Sequence, residues 1–192
     1  MTADRPAEPS RGQHIRFTSG ASVSPDATGF AHLVDDGGYP WAVQRFLTGR
    51  HGSTDRRVEL PVPGPVTKIV HSADSGWLAC QVAPHAGNRT QVWVVRTDPL
   101  DRSARRVGAQ DAVSAELIGW DGNRGALTAT DEEGVAEARL VDPQTQEAVT
   151  LDRRVGSFLV DSWAGAALLR VGPRGHRELL LQRDDGTRIP LL

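Results

Sequence analysis

The residue types that do chemistry are present in this sequence but scattered. Six histidines occur: His14, His32, His51, His71, His85 and His176. No pair has the spacing of a helical zinc site, and no carboxylate cluster accompanies them. His32 and His71 fall on or beside apolar segments and read as hydrogen-bonded structural side chains. Cys80 is the single cysteine, so the chain has no internal disulfide and no cysteine-based zinc site. Its neighbours Ala79 and Gln81 bring no cation that would favour a thiolate, so it reads as a buried, inert residue. The acidic runs Asp35-Asp36, Asp131-Glu132-Glu133 and Asp184-Asp185 each sit with a glycine and read as solvated turns. None alternates acids with a distal glutamate, as a calcium loop requires. Serine, histidine and acid are all present, as in most chains, without a local signal for a triad. The sequence thus offers no catalytic, cofactor-binding or metal-binding set.

Composition narrows the class of molecule. The chain has 192 residues, 39% hydrophobic and 24% charged, with 20 glycines and 12 prolines. That length suits one ordinary domain or a piece of a larger one. A formal charge of -2 gives no global attraction to nucleic acid or to an anionic membrane. Lys68 is the only lysine among 22 basic residues. Residues 1–14 are polar and rich in proline, and read as a disordered lead without the apolar core of a secretory signal. No apolar stretch is long enough for a membrane span. A lone cysteine and no export signal fit a cytoplasmic protein.

The elements that would position side chains are short strands. From residue 15 on, apolar runs alternate with Gly, Asp, Asn and Pro. Examples are Gly29–Val34, Trp41–Leu47, Val66–Val70, Trp77–Val82 and Thr90–Val95. Others are Gly125–Thr130, Val135–Val141, Ser157–Asp161, Ala166–Val171 and Arg177–Gln182. One partial helical pattern, Ala109–Trp120, is interrupted by Val113, Ile118 and Gly119.

These runs repeat. Ser24, Ser72, Trp120 and Ser162 mark the same turn in four units, spaced 48, 48 and 42 residues apart. Each unit continues with a second loop, a third strand, a polar tip and a short fourth strand. The fourth strands are expected at Arg57–Leu60, Arg105–Val107, Glu147–Leu151 and Arg188–Leu192. Four strands at a period near 45 mark a propeller blade. The expected architecture is all-β: a partial β-propeller of about four blades of four antiparallel strands. The blades fall near 15–62, 66–108, 113–151 and 155–192. A sandwich or barrel of another class would leave the four repeats as coincidence.

Blade logic accounts for other features. The inner strands carry small residues, Ala79, Ala126, Ala129, Ala166 and Ala167, as close blade packing demands. Pro25 presets φ in the first turn, and Asp26 can accept backbone N–H groups there. Gly29, Gly76, Gly125 and Gly165 follow the four turns, where a positive φ is expected. Arg102, Arg105, Arg106, Arg153 and Arg154 charge the outer edges and discourage edge pairing. Trp41, Trp77, Trp93, Trp120 and Trp163 are spread over the units and are expected between blades. They lack the interleaved basic residues of a single-strand nucleic-acid platform.

The Ser24-Pro25-Asp26 turn resembles the blade openings of TolB-like and prolyl-oligopeptidase-type propellers. The run Trp77–Arg96, with Gly38–Arg45 before it, resembles the N-terminal propeller of actinobacterial serine peptidases of the prolyl oligopeptidase family. The resemblance covers about residues 14–192 and is strongest in the first two units. It implies a cytoplasmic enzyme in which a seven- or eight-bladed propeller restricts access to an α/β-hydrolase domain. That domain carries a Ser-Asp-His triad, with its serine in a Gly-x-Ser-x-Gly elbow. No such elbow occurs here, so none of the family's catalytic residues is carried over. The chain is then expected to be a fragment, the non-catalytic propeller portion that gates peptide substrates. Its partner would be a catalytic domain outside this chain. The alternative is a stand-alone protein-binding module whose open blade faces are covered by a second chain, completing a ring by dimerisation.

Overall fold

The computed structural model describes residues 20–48, 52–109, 111–163 and 165–191. The expected lead, residues 1–14, lies outside the described residues. Four antiparallel sheets form, each from four strands consecutive in the chain. Blade one holds β1 (Ala21–Val23), β2 (Gly29–Val34), β3 (Trp41–Thr48) and β4 (Gly52–Arg57). Blade two holds β5 (Val66–His71), β6 (Trp77–Val82), β7 (Gln91–Arg96) and β8 (Ala104–Val107). Blade three holds β9 (Ser114–Asp121), β10 (Arg124–Thr130), β11 (Val135–Val141) and β12 (Ala148–Val155). Blade four holds β13 (Phe158–Trp163), β14 (Ala166–Val171), β15 (Glu178–Arg183) and β16 (Arg188–Pro190). The all-β, four-bladed expectation is what the structure has, and among the described residues no sheet closes on itself.

The stacking explains the composition of the strands. β6 is apolar on both faces because both faces are covered. Leu78, Cys80 and Val82 pack with Ala31, Leu33 and Ala42 of blade one. Trp77 and Ala79 pack with Ala115, Leu117 and Leu127 of blade three. β10 repeats the arrangement, with Leu127 and Ala129 toward blade two and Ala126 toward Leu159, Ala167 and Leu169 of blade four. The first strand of each blade lies across the first three strands of the blade before it. β5 sits on β1, β2 and β3; β9 on β5, β6 and β7; β13 on β9, β10 and β11. Each of β5, β9 and β13 carries an irregularity in its pairing with the second strand. Such a bulge bends the strand and frees backbone groups for use outside the ladder.

The interrupted pattern over Ala109–Trp120 forms no helix but gives β9, where Ala115 and Leu117 alternate into the core. Two local expectations are corrected. The fourth strand of blade one is β4, not Arg57–Leu60. β4 is polar because it is an exposed edge, whereas Val58 and Leu60 leave the sheet to pack between blades one and two. The second concerns the turns. Ser24 Oγ accepts the Gly29 N–H at 3.0 Å, and Ser72 Oγ accepts that of Trp77 at 2.9 Å. Asp26 and Asp74 then accept the N–H groups of Thr28 and Gly76. Positive φ falls on Ala27 (57°) and Ser75 (58°), not on Gly29, Gly76 or Gly125. Blades three and four use shorter turns, with positive φ at Gly122 (58°) and Gly165 (85°). A glycine first in a two-residue hairpin, as at Gly122-Asn123, is the type II′ solution.

Gly29 is required by space instead, since a Cβ there would run into the Arg45 carbonyl oxygen. A Cβ at Gly119 would meet nothing within 4 Å. Gly29→Ala should therefore destabilise the chain by about 1–3 kcal/mol, the usual range for overpacking. Gly119→Ala should be near neutral, and paired thermal melts check both.

Candidate functional site

The junction of blades one and two holds the richest polar cluster. Arg56 on β4 donates to the carbonyls of Arg96 (2.7 Å), Asp98 (2.7 Å) and Asp101 (2.8 Å) on blade two. It also donates to Gln44 Oε1 through both Nε and Nη2. Its guanidinium lies 5.4 Å from the Phe46 ring centre, and burial lowers its pKa. Gln44 is buried; Arg56 fixes its Oε1, while its Nε2 has no hydrogen-bond partner. Gln44 lines a cavity of about 70 Å³ together with Ser24, Asp26, His71, Ser75 and Thr97. A polar space of this size holds a few waters. The N–H and hydroxyl of Thr28 hold the Asp26 carboxyl at a pKa of about 2.

The same junction brings a serine, a histidine and an acid near one another. His71 Nδ1 lies 2.9 Å from Ser22 Oγ, and Asp26 acts on His71 through its charge. Ser22 Oγ also accepts the His71 backbone N–H at 2.9 Å. The hydroxyl thus fastens β1 to β5 rather than standing free as a nucleophile. Burial lowers the His71 pKa, so the ring is neutral at pH 7. His32 is buried on β2; burial and then Arg45 lower its pKa. His85 and His176 are exposed, and His14 and His51 lie outside the described residues.

The remaining residues singled out in the sequence are dispersed. Cys80 is fully buried, and burial pushes its thiol up to about 12. Asp35, Asp36 and Asp131 cap their own turns by accepting the N–H groups of Gly37, Gly38 and Val135. No group of three metal-ligating side chains forms among the described residues. Arg105 and Arg106 lie on edge strand β8, and Arg153 and Arg154 on β12. Trp77 is buried beneath Arg96, and Trp120 Nε1 donates to Val70 O across a junction at 2.9 Å. Trp163 departs from the expectation, being 46% exposed, because no blade covers its side of β13.

The two end faces are left uncovered by any sheet among the described residues. On β14, Ala167, Leu169 and Val171 are buried against blade three, while Ala166, Leu168 and Arg170 on the opposite face are only half-buried. Leu179 and Leu181 pair with Arg170 and Leu168 and extend that outer face. At the other end, Val23 on β1 is 70% exposed. Sequence reading missed Gln44, Arg56, Gln81, Thr128 and Arg170. Each is a polar residue within or beside an apolar strand, a pattern that marks a junction only once the neighbouring blade is known.

No protein-family model and no curated protein sequence matches the chain. Solved structures do. TolB from Acinetobacter baumannii aligns at 16% identity with a TM-score of 0.59, over 91% of this chain and 43% of that one. A structure from a study of two prolyl endopeptidases aligns at 18% identity and a TM-score of 0.62, over 88% of this chain and 27% of that one. The β-propeller domain of the Trilobed protease from Pyrococcus furiosus aligns at 11% identity and 0.60, over 93% and 58%. These likenesses show a propeller fold. The chain spans less than two thirds of each of these structures.

Two outcomes follow. Arg56→Ala strands Gln44 Oε1 and three carbonyls, and should cost about 2–3 kcal/mol of stability by denaturant melt, in the range for hydrogen bonds to a charged group. For His71 the folded pKa lies below the unfolded value near 6.5. The unfolded chain then binds the extra proton as pH falls. The contribution of His71 is complete above about pH 6.5 and is lost as the pH falls through the folded pKa. Melting temperature should drop between about pH 7 and pH 5, and His71→Asn should flatten that drop.

Proposed function

We propose that this chain is the propeller portion of a cytoplasmic serine peptidase of the prolyl-oligopeptidase type. In this reading it gates peptide access to an α/β-hydrolase domain carried outside these 192 residues. The observation that carries it is the four-blade arc, which superposes on one of the prolyl endopeptidase structures at a TM-score of 0.62. The run Trp77–Arg96, which resembles that family, supports it from the sequence side. The polar clusters described above fasten blades together, so chemistry is assigned to another domain. The gating role is steric: a propeller admits extended or flexible peptides and rejects folded proteins. Nucleic acid and membrane play no part in this reading.

A second reading is a stand-alone binding module that completes its ring with another chain. The unpartnered faces of β1 and β14 favour it, since blade faces of this kind are covered at every inner junction.

The native protein, captured from its own cells with an antibody to this segment, should have an intact mass well above 20.7 kDa. It should also react with a fluorophosphonate probe through a serine outside residues 1–192. A native mass of 20.7 kDa with no labelled serine would overturn the peptidase reading.

A further inference from the structure

One position recurs on the second strand of successive blades and faces the blade that follows. In blade two it is Gln81, paired with Lys68 of β5. In blade three it is Thr128, paired with Glu116 of β9. In blade four it is Arg170, paired with Phe158 of β13. At the junctions of blades two with three and three with four this residue takes hold of the next first strand. Leu117 N–H donates to Gln81 Oε1 at 2.7 Å, and Leu159 N–H donates to Thr128 Oγ1 at 2.9 Å. Beside Gln81, Lys68 Nζ donates to the carbonyls of Leu117 (2.9 Å) and Ile118 (2.7 Å) at the bulge of β9. Each of these two junctions is thus an apolar contact fixed by polar side chains on the backbone of an incoming first strand.

Blade four presents a corresponding position, and among the described residues no strand is seated on it. Arg170 occupies the gripping position and lies 4.5 Å over the Phe158 ring. Its Nε is buried and has no hydrogen-bond partner. Arginine has donors only, so it repeats the part of Lys68 rather than that of Gln81. It calls for carbonyl oxygens, as Lys68 takes those of Leu117 and Ile118. Leu168, Leu179 and Leu181 supply the apolar surround. What fits is a first strand. Of the four first strands among the described residues, three are already seated on a preceding blade. β1 is the fourth, with Ala21 exposed and Val23 70% exposed on its outward side.

We propose that the open face of blade four docks β1 of a second copy of this chain, with Arg170 donating to backbone carbonyls of that strand. The contact is heterologous, but each copy carries one face of each kind. Two copies therefore make two identical junctions related by a two-fold axis and leave no face over. Four blades and four give a ring of eight, within the range of about 4–8 blades at which propellers close. The inference rests on the second reading above and names the residues that would build its interface.

Sedimentation of the full chain tests it. The wild type should run at twice the 20.7 kDa of one chain. Arg170→Glu, on one face, and Val23→Glu, on the other, should each weaken association by at least about tenfold. Arg170→Lys, which restores the donor that Lys68 uses, should keep the dimer. A mixture of the two Glu variants should regain a dimer, because one junction in the mixed pair is intact. Far-UV circular dichroism checks that both variants fold, and each reports on a different end of the chain. A wild type that stays at 20.7 kDa at about 100 μM overturns the dimer reading itself. A dimer indifferent to Arg170→Glu overturns the role of Arg170 and leaves dimerisation standing. A dimer weakened by both variants but not regained on mixing overturns the β1-to-blade-four geometry.

Discussion

A four-stranded sheet with apolar residues on both faces cannot stand alone in water. This constraint governs the molecule. It makes β6 and β10 apolar on both sides, and it makes each blade the cover of its neighbour. The small residues Ala79, Ala126 and Ala167 follow from it, since they let sheets approach closely at the junctions. Among the described residues no sheet covers the outer faces of blades one and four, and Val23 and Trp163 stand in solvent there.

Apolar packing alone does not fix how one blade sits on the next, because burial is not directional. Polar contacts supply the register. Arg56 joins blade one to three carbonyls of blade two, and Lys68 with Gln81 joins blade two to the backbone of β9. Thr128 does the same for β13. These groups are partly or wholly buried, so each must be paired, and a shift of one residue would strand several at once. The serine and histidine brought together at the first junction belong to this set. Ser22 and His71 hold β1 to β5, and the neutral ring of His71 is a consequence of that burial.

Much of this was legible in the sequence. The repeats marked by Ser24, Ser72, Trp120 and Ser162 lead to four blades of four strands, because blade periodicity is a property of the chain itself. The inert character of Cys80 was readable from its neighbours. What the sequence concealed depends on contacts between blades. β4 was misplaced because Val58 and Leu60 are apolar for the sake of the junction, not the ladder. Gly29 and Gly76 do not carry the positive φ expected of them, because a serine–aspartate loop puts it on Ala27 and Ser75, while Gly29 answers to the Arg45 carbonyl beside it. The equivalence of Arg170 to Gln81 and Thr128 depends on how the blades stack, which the sequence alone does not display.

The central claim is that each blade draws its stability from the blades stacked on its faces. Amide hydrogen exchange, on chain dilute enough to stay single, tests this most directly. Protection should be greatest in β6 and β10, whose faces are both covered, and should fall in β14 and β15. Blade four protected as strongly as β6 and β10 would contradict the account, because a sheet open on one face would then be as stable as one enclosed on both.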